Sequence, residues 1–153
     1  MPYRVDVVNW QQAKKQLMTV RQKVFVYERR IPFEVEFDQF DRQAHHVLVT
    51  DEESNEPLAT GRITDNGEIS RICVVIPQRK SPIGKEVIKT LLQIARQRKV
   101  EEVYINSALD AVDYFTKHHF RPVGSVFMEA GIPRQRMVCN IANVDFKRFY
   151  LSH

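Results

Sequence analysis

The order of apolar and polar positions along the 153 residues spells out most of the elements. Tyr3 to Val8 alternates and predicts an opening strand, and Asn9 is a good N-cap for a helix after it. Trp10, Ala13, Leu17, Val20, Val24 and Phe25 recur at helical spacing and predict a helix over about residues 10 to 26. Strands are expected at 44–50 and 58–64, separated by a charged hairpin turn, Asp51 to Glu56. Asp65-Asn66-Gly67 turns the chain again, Asn-Gly being a strong hairpin signal. Next comes the most informative stretch. A β-branched strand over 68–75 ends before Pro77, and a basic turn, Gln78-Arg79-Lys80-Ser81, comes after it. Ser81 and Pro82 suit an N-cap and first helical residue, and Ile83, Val87, Ile88, Leu91, Leu92 and Ala95 form one helical stripe. Beyond it the pattern predicts a strand at 103–106, a helix at 109–118 and strands at 122–127 and 136–141. The tail, Asn143 to His153, reads either as a short helix packed on the sheet or as an oligomer contact, a homodimer for example.

Composition narrows the class without changing this outline. The length suits one domain spanning 1–153, and 43% hydrophobic with 27% charged residues is ordinary for a soluble globular protein. No apolar run approaches the roughly 18 residues needed to cross a bilayer, and the N-terminus shows no signal-peptide core, so a cytoplasmic protein with no membrane role is expected. Cys73 and Cys139 lie in apolar runs and read as buried reduced thiols. His45 and His46 face opposite sides of one strand, so they form no paired metal site, and no metal is implied. The net charge of +4 suits a polyanionic cofactor; without an aromatic-interleaved basic patch, nucleic-acid binding is the weaker reading.

Candidate chemistry sits at the strand–turn–helix. The first-turn amides of a helix lack intrahelical partners and carry partial positive charge, so they can hold a phosphate; Arg79, Lys80 and Lys85 surround that end with cations. Arg79-x-x-Pro82-x-Gly84 resembles the acyl-CoA pyrophosphate loop of the GNAT superfamily of N-acetyltransferases, and Ala111 to Gly124 resembles the superfamily's A-x-x-F-Y-E-K-L-G-F-x-P-V-G segment. Arg21-x-x-Val24-Phe25-Val26-x-Glu28, with Pro32, Glu34, Glu36, Asp38, Asp41 and His46, resembles the bacterial ElaA-like and YjcF-like branch, as do Gly131-Ile132-Pro133 and Met137.

The resemblance implies an α+β GNAT fold: a mixed, mostly antiparallel sheet of about six or seven strands flanked by helices on both faces. It implies acetyl-CoA as cosubstrate, with pantetheine pairing to the backbones of Ile72, Cys73 and Val74 and the pyrophosphate held by Arg79, Lys80, Ser81, Pro82, Ile83, Gly84 and Lys85. Asn106 and Phe115 would also line the cofactor cleft, while Arg21, Glu28, Glu34 and Glu36 would wall the acceptor side. The acidic segment 32–41 reads as a solvated loop or as an anionic rim for a cationic amine.

Five positions depart from the family pattern. Lys80 and Pro82 stand where glycines are usual, and Pro82 removes an amide donor. Phe115 stands where many members carry the tyrosine that protonates the departing thiolate; Tyr114 is adjacent, about 100° away on the helix. Arg134 replaces the branch's histidine. His119 takes a glycine position that histidine tolerates. The leading reading is acetyl transfer to a primary amine of a small molecule or peptide in a ternary complex, with Tyr114 as the candidate acid and Glu68, Glu129 or water open as base. The rival is a non-catalytic acyl-CoA sensor.

Overall fold

A computed structural model describes residues 2–147. Eight strands, β1 (Tyr3–Val8), β2 (His45–Asp51), β3 (Pro57–Ile63), β4 (Glu68–Val74), β5 (Glu102–Ala108), β6 (Arg121–Pro122), β7 (Phe127–Glu129) and β8 (Ile132–Asn140), form one sheet. Its order is β1-β2-β3-β4-β5-β8-β6, with β7 also paired to β8, and every pairing is antiparallel except β4–β5.

Helices cover both faces. α3 (Ile83–Gln97) buries Ile83, Val87, Ile88, Leu91 and Leu92 on Val47, Val49, Ala59, Ile63 and Ile69, and α4 (Val112–Thr116) adds Phe115 to the same core. The opposite face receives α1 (Trp10–Arg21), whose Trp10, Ala13 and Leu17 pack on Leu48. Strand alternation separates the two cores, since Val47 and Val49 point one way and Leu48 the other. Gly61 sets the depth of α3. A Cβ there would lie 2.8 Å from Val87 Cγ1 and 2.9 Å from Leu91 Cδ1, so only glycine lets the helix rest this close to β3.

Several boundaries differ from the sequence pattern for identifiable reasons. α1 begins at the Asn9 cap, where Asn9 Oδ1 accepts from Gln12 N–H at 2.8 Å, but it ends at Arg21 and continues as a π-helical stretch, Gln22–Glu28. A further short helix, α2 (Phe33–Glu36), lies in the acidic segment. The expected strand at 122–127 is broken by Gly124, at φ +77°, into β6 and β7. β8 starts earlier than expected because Ala130 and Gly131, at φ +50° and +79°, make a tight hairpin turn joining Glu129 to Ile132. The helix expected at 109–118 is a 3-10 turn, Leu109–Ala111, followed by α4, and His119 takes the left-handed geometry at φ +78°. The tail residues Phe149, Tyr150 and Leu151 lie outside the described residues; of the earlier tail, Val144 and Phe146 pack on the core.

Candidate active site

β4 and β5 pair at only two positions, Glu68↔Tyr104 and Ile69↔Ile105, and then separate. The opening has a local cause. Arg71 adopts φ +59°, and the β3–β4 register jumps there: Arg62 faces Ser70 while Thr60 already faces Cys73. The extra residue is a bulge that bends β4 away from β5. Val75 N–H bonds Leu58 O on β3, so alternation turns the Val74 backbone into the gap and the Cys73 backbone toward β3. Of the three expected backbone contacts, Val74 is therefore well placed, Ile72 sits within the bulge, and Cys73 does not face the gap. The Cys73 side chain is buried beside Val20, Val24 and Phe25, and burial pushes its thiol up to about 12, so it stays protonated.

The turn after β4 leads into α3 at the wide end of the gap. Glu86 N–H makes the first helical bond, to Pro82 O, so the amides of Ile83, Gly84 and Lys85 precede the intrahelical ladder. Ser81 Oγ donates to Gln78 O at 2.6 Å and lies 3.4 Å from Ile83 N; Pro82 caps the helix rather than opening it. Ile83 is a core side chain and offers only its backbone. Lys80 is exposed and Lys85 half-buried.

Arg79 corrects the expectation of a mobile cation. Its guanidinium grips the Glu28 carboxylate through both Nη atoms at 2.7 and 2.5 Å, and its Nε donates to Val74 O at 2.8 Å. Glu28, expected on the acceptor wall, is thereby occupied, and Arg79 holds its carboxyl below the usual glutamate range.

On the α4 side, Phe115 is a core residue set edge-on to Phe120 and is not a cleft residue, whereas Tyr114 is 41% exposed. A Cβ on Gly84 would lie 3.3 Å from the Tyr114 hydroxyl and 3.5 Å from Val74 Cγ2. Tyr114 thus reaches across the gap from α4 to the start of α3. Burial raises its pKa, so at neutral pH the phenol keeps its proton.

The acceptor-side expectations change most. Arg21 and Glu36 are fully interior rather than on a rim, and of the expected wall Glu28 and Glu34 are exposed. Arg21 bonds Glu36 at 2.7 Å and Asp41 at 2.6 Å. Arg62 bonds Asp38 at 2.7 Å and Asp41 at 2.8 Å, and the bulge residue Arg71 reaches Asp38 at 3.1 Å and Glu36 at 3.3 Å. Three guanidinium groups therefore neutralise three of the carboxylates of the acidic segment and bind it to the outward side of the β4 bulge. His46, buried beneath, lies with Nε2 2.9 Å from Asp41 O.

Asn106 also lies on this face, not toward α3, because Val103, Ile105 and Ser107 take the inward positions of β5. Its Oδ1 accepts from Arg136 Nε at 3.2 Å, and its Nδ2 lies 3.5 Å from Glu129 Oε2. Arg136 stacks over Tyr104 at 4.4 Å. Sequence reasoning missed the internal charge cluster and this network, although Arg62 was visible as a charged residue inside the strand expected at 58–64.

Two parallel strands that part beside a helix N-terminus define the architecture of a CoA-dependent N-acyltransferase. The acetyltransferase (GNAT) domain family matches residues 7–141. The uncharacterised N-acetyltransferase YjcF of Bacillus subtilis is 31% identical over 126 residues, covering 81% of this chain and 90% of that protein. Escherichia coli ElaA superposes with a TM-score of 0.79 at 22% identity over 91% of this chain and 100% of its own. An acyl-CoA N-acyltransferase from Pseudomonas aeruginosa gives 0.77 at 23% identity over 90% and 98%. The chain belongs to the GNAT acetyltransferase family, with YjcF among its relatives, and it shares the fold of ElaA.

Proposed function

We propose that this chain transfers an acetyl group from acetyl-CoA to a primary amine, both reactants being held together in the gap between β4 and β5. The divergence of those strands after Ile69↔Ile105 carries the reading, because it leaves an edge of β4 unpaired by β5 beside the first-turn amides of α3. The residues fit the cosubstrate. Val74 turns its backbone into the gap for an extended amide chain once Arg79 releases its carbonyl, the amides of Ile83 to Lys85 offer donors to a phosphate, and Lys80 adds a cation. Bound acetyl-CoA would supply the thioester whose acyl carbon the amine attacks; the C–N bond forms as the C–S bond breaks and the thiolate leaves with its electron pair.

The chain's own part is mostly positioning. Glu129 and Glu68, on the α1 face beside the apex of the gap, are the candidate acceptors of the amine's proton, directly or through water. Tyr114, on the α3 face with its proton retained, is the candidate donor to the thiolate. A second reading, a non-catalytic acyl-CoA sensor, is favoured by Phe115 in the usual phenol position and by Arg79 already being engaged with Glu28.

Calorimetric titration with acetyl-CoA and thiol release across an amine panel test both readings. Binding with turnover supports the enzyme, binding without turnover supports the sensor, and absence of binding sinks both. Tyr114→Phe then locates the proton donor. An acid role predicts a kcat lower by about 10²-fold or more with cofactor affinity unchanged; weakened affinity with intact kcat would make Tyr114 a cofactor contact only.

A further inference from the structure

The fold treats its arginines in two ways. Arg21, Arg62 and Arg71 are each bonded to carboxylates, so Glu36, Asp38 and Asp41 are offset within the protein, and Glu34 is the carboxylate of the acidic segment outside that cluster. Arg121, Arg134 and Arg136 lie on the same face of the sheet and are not matched in this way. Register puts them there: Arg136 is opposite Asn106, Arg134 is opposite Ala108, and Arg121 is opposite Val138, whose other neighbour is Tyr104. α1 packs over β2, β3 and β4, and at this end of the face Arg121 and Arg136 are exposed. Arg136 makes one side-chain hydrogen bond, to the neutral Asn106. Arg134 Nε is buried without a hydrogen-bond partner, with Glu129 3.9 Å away, beyond hydrogen-bond reach. A buried guanidinium N–H without an acceptor is costly, and it is satisfied most readily by an anion.

We propose that the trough formed by Asn106, Arg134 and Arg136 binds an oxyanion carried by the acceptor, so that the substrate class is primary amines bearing a carboxylate or a phosphate, and not simple cationic amines. The inference rests on the acyltransferase reading for the identity of the bound molecule as an acceptor. Position supports it. Ile105 is the last β5 residue paired to β4, so Asn106 and its cross-strand neighbour Arg136 flank the apex where the strands part. An oxyanion held on Arg136 leaves the amine of the same small molecule beside Asn106 and Glu129, the carboxylate nearest that site. The charge pattern explains why a chain of net charge +4 neutralises its most acidic segment internally. What then remains at the acceptor mouth is Arg121, Arg134 and Arg136 set against Glu68 and Glu129, a net positive balance that favours an anionic amine over a polyamine. Arg134 and Arg136 are specificity residues in this scheme and take no part in bond making.

The test compares leucine, leucinamide, isopentylamine and phosphoethanolamine, by melting temperature of the protein and by thiol release with acetyl-CoA. Leucine and phosphoethanolamine distinguish carboxylate from phosphate; leucinamide and isopentylamine lack the anion. The expected result is a melting-temperature rise with one of the two anionic amines alone, and a kcat/KM for it at least about tenfold above the uncharged pair. Arg136→Met should abolish that preference, acting mainly through KM, with an unaltered melting temperature in buffer and unaltered acetyl-CoA affinity. Arg134→Met is the second variant should the first unfold. Equal or better use of leucinamide or isopentylamine, or a preference that survives both variants, overturns the proposal. So does the absence of both binding and turnover with the anionic probes. Stabilisation by an anionic amine without turnover of any amine would keep the oxyanion site and sink the acyltransferase reading instead.

Discussion

Glu28 and Arg79, 51 residues apart in sequence, form a two-toothed ion pair that joins the end of the π-helical stretch to the turn before α3. The same guanidinium covers the Val74 carbonyl. One side chain therefore occupies both the backbone edge and the cation position of the proposed CoA site. Exchange of the Glu28 carboxylate for a phosphate would free Val74 and unfasten the acceptor wall in one movement. Glu28→Gln should accordingly tighten acetyl-CoA binding about fivefold, by leaving Arg79 unneutralised, while Arg79→Ala should weaken it. Calorimetric titration of the two variants decides; equal losses in both would mean that the pair is part of the bound site as it stands.

Asp41 accepts from Arg21, from Arg62 and from the Asp38 amide inside the protein. Asp41→Asn leaves buried positive charge uncompensated, with an expected cost of about 3–5 kcal/mol. Urea denaturation would show it as a lower midpoint. A loss below about 1 kcal/mol, the range of exposed pairs, would mean that water reaches the cluster.

Asp41 O can only accept, so His46 Nε2 carries the proton and Nδ1, buried without a partner, is bare. Burial holds this imidazole's pKa below its ordinary value, and Arg21 and Arg62 push the same way. With the folded value depressed, the stabilisation is complete above about pH 6.5, the unfolded value, and is lost as pH falls through the folded one. His45 and His118, also lowered by burial, act in the same sense. Glu36, raised by burial, acts in the opposite sense: its contribution is lost as pH rises. The readout is therefore the difference between the parent and His46→Gln. The variant's melting temperature should fall less steeply between about pH 7 and 5. Parallel profiles would refute the assignment.

Two glycines predict contrasting losses. Gly61→Ala must displace Val87 and Leu91 from β3 and should cost about 1–3 kcal/mol of stability. Gly84→Ala meets only the Tyr114 hydroxyl closely, and that side chain is partly exposed, so folding should be little affected while acetyl-CoA affinity falls. Paired unfolding and titration measurements would separate the two effects; similar unfolding losses would contradict the placement of Tyr114 at the mouth.

The frame was legible wherever one local rule sufficed. The stripe from Ile83 to Ala95, the Asn66-Gly67 turn and the left-handed His119 each arise from period or turn chemistry, and the structure has all three. The β4 bulge was not legible. Arginine at φ +59° carries no sequence signal, and the neighbours that hold Arg71 there, Glu36 and Asp38, are more than 30 residues away. Glu36 looked like surface for the same reason, since its partner Arg21 belongs to another element. That Phe115 turns into the core and Tyr114 outward was not legible either, because the rotation of a short helix is fixed by what it packs against, here Phe120 and the β5 core.

The contact at Gly61 has a consequence for how the two sides of the gap respond to solution conditions. α3 rests on β3 through dispersion and close packing, forces that are indifferent to dissolved ions, so its first-turn amides keep their place as ionic strength changes. The opposite wall is tied to that turn through the partly exposed Glu28–Arg79 pair, which added salt screens. Raising the salt concentration should therefore loosen one jaw of the cleft and leave the other fixed, making ionic strength a tool for distinguishing entry of the acceptor from capture of the nucleotide.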